Sequence, residues 1–571
     1  MPLKWLGPGS ENETQVTSHG FSSLSTTTAI GSPVKHKGPP TKRRQCGHRM
    51  LGMLHYYYIA FMLFVMSNTP SFEDVINPEL TPNVRRRLRL PLVVIVALTV
   101  FAAGLVTGVL SRDDDTAFSL EWSKGADDVE EATLTVPVDH ADTDGPTMDL
   151  HVTRRVATDP DKRIGSLIVN PGGPGFGASM MVTQASMIFQ EELLASFDIV
   201  ALDPRGTGKS TPAIDCIDDY DQLTINSDPT PADEQARQAQ RDEYKALVES
   251  CIERTGDAIS HMTTAATARD IDLLRQALGE NTISYFGTSY GCELGATWAT
   301  LFPSTVRAAV LDGCADPTAD TLDSLRQQAG GFQASLENFM AMCVSVGPQC
   351  PIPHNGDPAD ALRTLWDRVA REPIPGIAGR PDVNESTLQT ALIAAMYTED
   401  LWPTLAEAIT TALSGDGSLL TELADSYNQR RPDGTWGNEL EAFSVITCLD
   451  ARNTPTDAEY EAIAKELSTT APLLYPDGVF ITSQCPYLPA AGESPVTITG
   501  AGATVMLVIG NTGDPATPFA STERMAAALE SAVLVAVESN NHGGYGINDC
   551  INEAVHRYLI DGTAPQEGTR C

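Results

Sequence analysis

Positive charge is what this 571-residue chain lacks most: 38 Lys and Arg stand against 74 Asp and Glu, a formal net charge of -36. Residues 1–90 hold 11 basic and 5 acidic side chains, so the remainder carries 27 against 69. So acidic a chain is repelled by a phosphate backbone, which excludes nucleic acid as a partner. Solubility and tolerance of salt account for the excess. Close cysteine or histidine pairs of the C-x-x-C or H-x-x-x-H kind are also missing, so no metal site is expected. There is no internal repeat and no long low-complexity segment. What remains is globular in composition, 42% hydrophobic and 20% charged. At about 100–200 residues per domain, the length accommodates more than one.

Ten of the eleven cysteines follow residue 110. An even number on one side of a membrane fits disulfides in an oxidising compartment. Residues 90–110 carry no charge and are long enough to cross a ~30 Å hydrocarbon core as a helix. Arg85, Arg86, Arg87 and Arg89 precede them, and Arg112 with Asp113 to Asp115 follows. The excess of cations before the segment predicts that residues 1–89 are cytoplasmic and the large C-terminal part extracytoplasmic. The segment itself reads as a transmembrane signal anchor or a signal peptide, giving a membrane-anchored or secreted protein. A second apolar stretch, residues 50–66, fits poorly, because a span there would put the basic residues 35–49 outside. Composition changes at Met66, so translation is expected to start near it, with residues 1–65 a mis-started extension.

From residue 130 short β-rich runs alternate with longer helical stretches. Strands are expected at 132–138, 148–156, 166–170, 197–202, 282–286, 306–312, 505–510 and 532–537. Several are nearly continuous apolar runs, as in a sheet covered on both faces. The fold class is therefore α/β, a doubly wound and mostly parallel sheet. About 190 residues separate the sixth and seventh strands, too many for a connection. Helical patterns at 322–346, 358–371, 385–414 and 457–468 make that stretch an inserted helical cap, residues 318–495. Residues 118–317 and 496–571 then form the two parts of the core.

Four segments carry chemistry. Gly287-Thr288-Ser289-Tyr290-Gly291 matches G-x-S-x-G between a strand and a helix. A nucleophile on so sharp a turn needs neighbours without bulky side chains, and the helix N-terminus favours developing negative charge. Asn170-Pro171-Gly172-Gly173-Pro174-Gly175 ends an earlier strand. Its glycines let the amide of Gly173, or of Gly172, join that of Tyr290 in an oxyanion hole. Asp514, in Gly510-Asn511-Thr512-Gly513-Asp514-Pro515, is the candidate acid by chain order, with Asp312 and Asp316 as rivals. His542, in Asn541-His542-Gly543-Gly544, is the candidate base; His140, His151, His261, His354 and His556 lack its Gly-rich loop. Asp203 to Ser210 ends like a phosphate-binding loop, but position 203 should then be Gly. No cofactor is expected.

Together these segments resemble the tripeptidyl-aminopeptidase and proline-iminopeptidase branch of the α/β-hydrolases, of the kind secreted by actinobacteria. The likeness runs from Ala132 to Cys571. It also takes in Val136-Pro137-Val138-Asp139, Asp203-Pro204-Arg205-Gly206, Leu311-Asp312-Gly313 and Thr517-Pro518. It implies a Ser289, Asp514 and His542 triad that hydrolyses short peptides through an acyl-enzyme. Enzymes of this branch grip a free α-ammonium, for which Glu399, Asp400, Glu439, Glu441 and Asp450 are candidates. The chain departs from the family at Cys292-Glu293 and at Cys314, where a Cys292–Cys314 bridge and two buried thiols are both open. The other pairings implied are Cys216–Cys251, Cys343–Cys350, Cys448–Cys485 and Cys550–Cys571. A carboxylesterase or lipase would use the same triad. A binding protein without turnover would not need all three residues, and a dehalogenase would need Asp at 289. If translation starts near Met66, mass spectrometry of the native protein recovers no peptide from residues 1–65; recovery of one overturns that start site.

Overall fold

The computed structural model describes residues 120–571 except 127, 222–227 and 354–355. The apolar segments 50–66 and 90–110, with the expectations placed on them, lie outside this range. Among the described residues no helix is long and apolar enough to cross a membrane.

Among the described residues nine strands form one sheet: β1 (Ser123–Lys124), β2 (Glu130–Pro137), β3 (Thr147–Arg155), β4 (Gly165–Asn170), β5 (Phe197–Leu202), β6 (Ile283–Thr288), β7 (Val306–Asp312), β8 (Met506–Asn511) and β9 (Ala532–Val537). Their order is β1-β2-β3-β5-β4-β6-β7-β8-β9. The first three pair antiparallel, and β5, β4, β6, β7, β8 and β9 run parallel. In β2 alternate residues Ala132, Leu134 and Val136 are buried, whereas β4, β5 and β8 are buried throughout. That difference follows from coverage. On β4, Leu167 and Val169 enter one core and Ile168 the other, so both faces of a central strand are apolar. Strands 197–202, 306–312 and 532–537 match expectation to the residue, and the others are displaced by one or two.

The longer core helices before the insertion are α1 (Glu234–Thr255), α2 (Thr264–Ala277) and α3 (Tyr290–Leu301). Between β7 and β8 come α4 (Thr321–Val346), α5 (Ala359–Arg371), α6 (Glu385–Met396), α7 (Trp402–Ser414), α8 (Ser418–Tyr427), α9 (Glu439–Leu449) and α10 (Asp457–Thr470). After them follow α11 (Phe519–Ala528) and α12 (Asp549–Asp561). The expected single helix 385–414 is in fact two. Thr398 caps a turn at Glu399–Leu401, and Pro403 starts α7, where a missing N–H costs nothing. Helices α8 and α9 escaped the sequence reading. His140 lies in the turn after β2.

The insertion has an apolar core of its own, built on Phe339, Leu365, Leu392 and Leu405. Its α9 is bolted to the sheet edge: Asn438 Nδ2 donates to the carbonyls of Gly206 and Ile214, and Glu441 N–H to the Tyr220 hydroxyl. The four other expected pairings are formed, and so is the Cys292–Cys314 bridge left open by the departure from the family. The look-alike loop at 203–210 is structural. Arg205 is completely buried and donates to both oxygens of Asp270 at 2.8 Å and to the carbonyls of Val138, His261 and Pro137. A buried guanidinium so fully satisfied has no donor to spare for a phosphate.

Candidate active site

Strand order reverses around β4, which lies between β5 and β6. At such a point, loops leaving the carboxyl ends of neighbouring strands diverge and leave a crevice. The loops after β4, β6, β8 and β9 carry Gly172, Ser289, Asp514 and His542 in that order, and Asp312 ends β7.

Ser289 sits at φ +60° and ψ -125°, immediately before α3. A non-glycine residue there is strained, and tight neighbours hold it. Its N–H donates to the carbonyl of Asp312 at 2.8 Å, and its carbonyl accepts from Cys292 N–H at 2.9 Å. Gly291 approaches the carbonyl of Asn170 so closely that a Cβ would stand 2.9 Å from it. The Cys292–Cys314 bridge ties the first turn of α3 to the loop that follows Asp312.

Gly172 has φ +97°, and a Cβ on it would lie 2.8 Å from the Ser289 Cβ. Its N–H already donates to Asn170 Oδ1 at 2.9 Å. Gly173 N–H has no hydrogen bond among the described residues, and Tyr290 N–H, at the first position of α3, has no intrahelical acceptor.

Asp514 is 3% exposed. Its Oδ1 accepts from Ala516 and Thr517 N–H at 3.0 and 2.8 Å, which fixes the carboxylate plane. His542 Nδ1 lies 2.9 Å from Asp514 Oδ1 and 3.0 Å from Oδ2. With the proton on Nδ1, Nε2 is left as an acceptor. Nε2 is buried and has no hydrogen-bond partner among the described residues. Burial of the ring works against the cation, but the charge and hydrogen bond of Asp514, and the charge of Asp312, outweigh it and hold the His542 pKa above its ordinary value. Asp312 does not bond the imidazole; its carboxylate accepts from Gly544 and Tyr545 N–H. Asp316 is engaged by Thr318, Gln327 and Arg524. Of the three acids only Asp514 hydrogen-bonds the imidazole.

The sequence was also matched against known proteins. Residues 165–347 match the family model for the alpha/beta hydrolase fold, and residues 475–571 the model for TAP-like protein. Serine protease Hip1 of Mycobacterium tuberculosis is 31% identical over 456 residues, which span 77% of this chain and 86% of the relative. The chain belongs to the TAP-like α/β-hydrolases. Carboxylesterase B of the same species is 34% identical over 452 residues, with the same shares covered. Tripeptidyl aminopeptidase of Streptomyces lividans is 29% identical over 454 residues, spanning 77% of this chain and 82% of the relative.

In this TAP-like hydrolase the insertion covers the crevice from two sides. Helix α9 packs on the glycine loop, where a Cβ on Gly175 would meet Phe443 Cα at 3.0 Å. Tyr397, between α6 and the Glu399 turn, takes the His542 N–H on its carbonyl at 2.9 Å, and its ring meets the imidazole edge-on with centroids 5.3 Å apart. Nothing in the sequence pointed to Tyr397, since it comes from the insertion. Thr517, whose hydroxyl is 3.2 Å from His542 Nδ1, and Asn511, which donates to the carbonyls of Asn541 and Gly543, did lie in conspicuous motifs.

The five carboxylates considered for an ammonium are scattered. Glu399 and Asp400 are exposed, and Glu399 accepts from Asn540 Nδ2 beside the histidine loop. Glu439 opens the first turn of α9. Asp450 ends α9 and lies over the N-terminus of α2, accepting Thr264 N–H at 3.1 Å and the Thr264 hydroxyl at 2.6 Å. That same hydroxyl is hydrogen-bonded to the hydroxyl of Tyr290, the residue after Ser289. Burial first, then the charge of Glu293 on α3, pushes the Asp450 pKa up to about 7.

The Glu441 carboxyl meets the backbone N–H groups of Cys216 and Ile217. Burial, opposed by those two amides and reinforced by Asp215 and Asp218, pushes its pKa up to about 8. An unfolded Glu ionises near ~4.3, so between there and about pH 8 the folded chain holds one more proton, and stability falls as pH rises through that window. Glu441→Gln is expected to flatten this slope and to raise the melting temperature by several degrees at pH 8; an unchanged melting profile contradicts it.

Proposed function

We propose that this TAP-like hydrolase is a serine peptidase of the aminopeptidase type, which releases short fragments from peptides with a free N-terminus. The observation that carries the peptidase reading is Asp450, a partly buried carboxyl joined through Thr264 to the residue beside Ser289. A carboxylate without a cation partner suits an α-ammonium and is a liability toward a neutral acyl chain. Serine protease Hip1 and tripeptidyl aminopeptidase among the relatives agree with it.

His542 Nε2 takes the Ser289 proton as Oγ attacks the scissile carbonyl carbon. The amides of Tyr290 and Gly173 receive the oxyanion, while Gly172, whose N–H is held by Asn170, packs against the nucleophile. Asp514 keeps the imidazole oriented and stabilises its cation. His542 then protonates the leaving amine as the C–N bond breaks. Water, deprotonated by His542, attacks the acyl-enzyme and frees Ser289. Residues 118–317 and 496–571 serve as the catalytic core and 318–495 as a cap that limits how much peptide enters. Five disulfides support an oxidising compartment outside the cytoplasm, and the uncharged segment 90–110 supports a membrane anchor or an export signal. The second reading, a carboxylesterase, rests on the 34% identical Carboxylesterase B; acyl esters compared with peptide anilides separate the two.

Ser289→Ala is expected to lower kcat on a short peptide anilide by about 10³-fold or more without changing the melting temperature. Wild-type activity in that variant refutes the triad. Asp450→Asn is expected to raise KM about tenfold for peptides with a free N-terminus and to leave N-acetylated esters unaffected. Because Asp450 must lose a proton near pH 7 to attract an ammonium, the wild-type kcat/KM on free peptides should fall more steeply below pH 7 than that of Asp450→Asn. Equal slopes remove Asp450 from the amine site.

A further inference from the structure

Asp312 ends β7 and is 2% exposed. Its two ends act on two different catalytic segments. The carbonyl accepts the N–H of Ser289 at 2.8 Å. The carboxylate accepts Gly544 N–H at 2.7 Å and Tyr545 N–H at 2.9 Å, two and three residues past His542. Asp514 orients the imidazole ring, whereas Asp312 grips the chain that carries it. The chain can cross here because the next residue is Gly313 at φ +71°, where a Cβ would stand 3.4 Å from both Asp514 Oδ2 and His542 Cε1.

Among the described residues no Lys or Arg pairs with this buried carboxylate. Among the described residues two amides are its only hydrogen-bond partners, and burial works against the charged form while they favour it. An anion in that setting gains most when a positive charge appears nearby, and the imidazolium formed during each proton transfer is that charge.

We infer that Asp312 is a positioning residue for His542: it fixes the histidine loop against the nucleophile elbow and raises the basicity of the imidazole through space. The inference rests on the serine-hydrolase reading above. Besides Asp312, the groups facing the imidazole are Asp514 and Thr517 from the loop after β8 and Tyr397 from the insertion. Removing the Asp312 charge therefore leaves the hydrogen bond to Asp514 in place.

The test uses the full chain, with active sites counted by a fluorophosphonate and kcat and KM followed on a short peptide anilide from about pH 5 to about pH 9. In Asp312→Asn, kcat should fall about tenfold or more with KM within about twofold, since a loosened base slows the chemical step. The acid limb of kcat/KM should also move to lower pH, because the imidazolium loses one of its two anions. Asp312→Glu, which keeps the charge and displaces the loop, should lower kcat and leave the limb near its wild-type position. A folded Asp312→Asn enzyme with the wild-type limb overturns the inference whatever its kcat. If Asp312→Asn does not fold, an unchanged kcat in Asp312→Glu overturns it. Loss of fold in both variants does so too, because positioning requires a folded but slow enzyme. A wild type that neither labels nor turns over takes down the serine-hydrolase reading itself, an outcome distinct from the others.

Discussion

The backbone of Ser289, held at φ +60°, is the constraint on which the rest of the site depends. Such a conformation costs on the order of 1–3 kcal/mol and persists only where the surroundings over-determine it. Here they do so from four directions. The Asp312 carbonyl takes the serine N–H, the Tyr285 hydroxyl donates to the carbonyl of Gly291 at 2.8 Å, the glycine loop closes over the serine Cβ, and Cys292 is bridged to Cys314. Two of those four contacts come from the stretch between Asp312 and Cys314. The elbow is therefore a joint between β6 and β7 as much as a turn after β6.

The same joint explains why the base arrives in register. Parallel strands deliver their carboxyl ends to one edge, which puts Asp514 and His542 near the elbow only to within a strand spacing of ~4.8 Å. Hydrogen bonding needs closer control than that. It is supplied from the backbone of the histidine loop: Tyr397 holds the N–H of His542, Asn511 holds the carbonyls of Asn541 and Gly543, and Asp312 holds the amides of Gly544 and Tyr545. With every residue from 541 to 545 tied down, the imidazole has little freedom except to meet Asp514.

What the sequence displayed and what it hid divide along the same physical line. Local chemistry was visible: the elbow glycines, the chain order of Ser289, Asp514 and His542, and the apolar runs of the parallel strands. Contacts between distant segments were not. Nothing local distinguishes Asp312 as an acceptor for Gly544 from Asp312 as a rival acid, because that depends on where the loop after β9 lands. The insertion was harder still. Helix α9 carries Glu439 and Glu441 and is capped by Asp450, and only its docking brings Glu441 to the amides of Cys216 and Ile217 and Asp450 to Thr264. The break at Thr398 was readable in principle from Pro403, which favours the start of a helix over its middle. Cys292 and Cys314 stood out only as departures from the family, and the fold brings them together because the elbow and the β7 loop touch.

The shortage of cations, taken with burial, bears on what the proposed site would receive. Where the protein needs a buried charge for stability it supplies the partner, as Arg205 does for Asp270. Along the crevice, among the described residues, no Lys or Arg pairs with Asp312 or Asp450. Asp312 is buried and Asp450 half-buried, and the pKa of each shifts upward with burial the largest cause. Unpaired buried carboxyls are costly, and a fold selected for stability alone would replace or neutralise them. Their cost is offset when positive charge enters; in the proposed mechanism the imidazolium of His542 would supply it near Asp312, and a substrate ammonium near Asp450. On that argument the acidity of the chain has two origins. Most of it is solvated surface without a specific role, and a small enclosed remainder would be offset only by cations that the proposed reaction brings in.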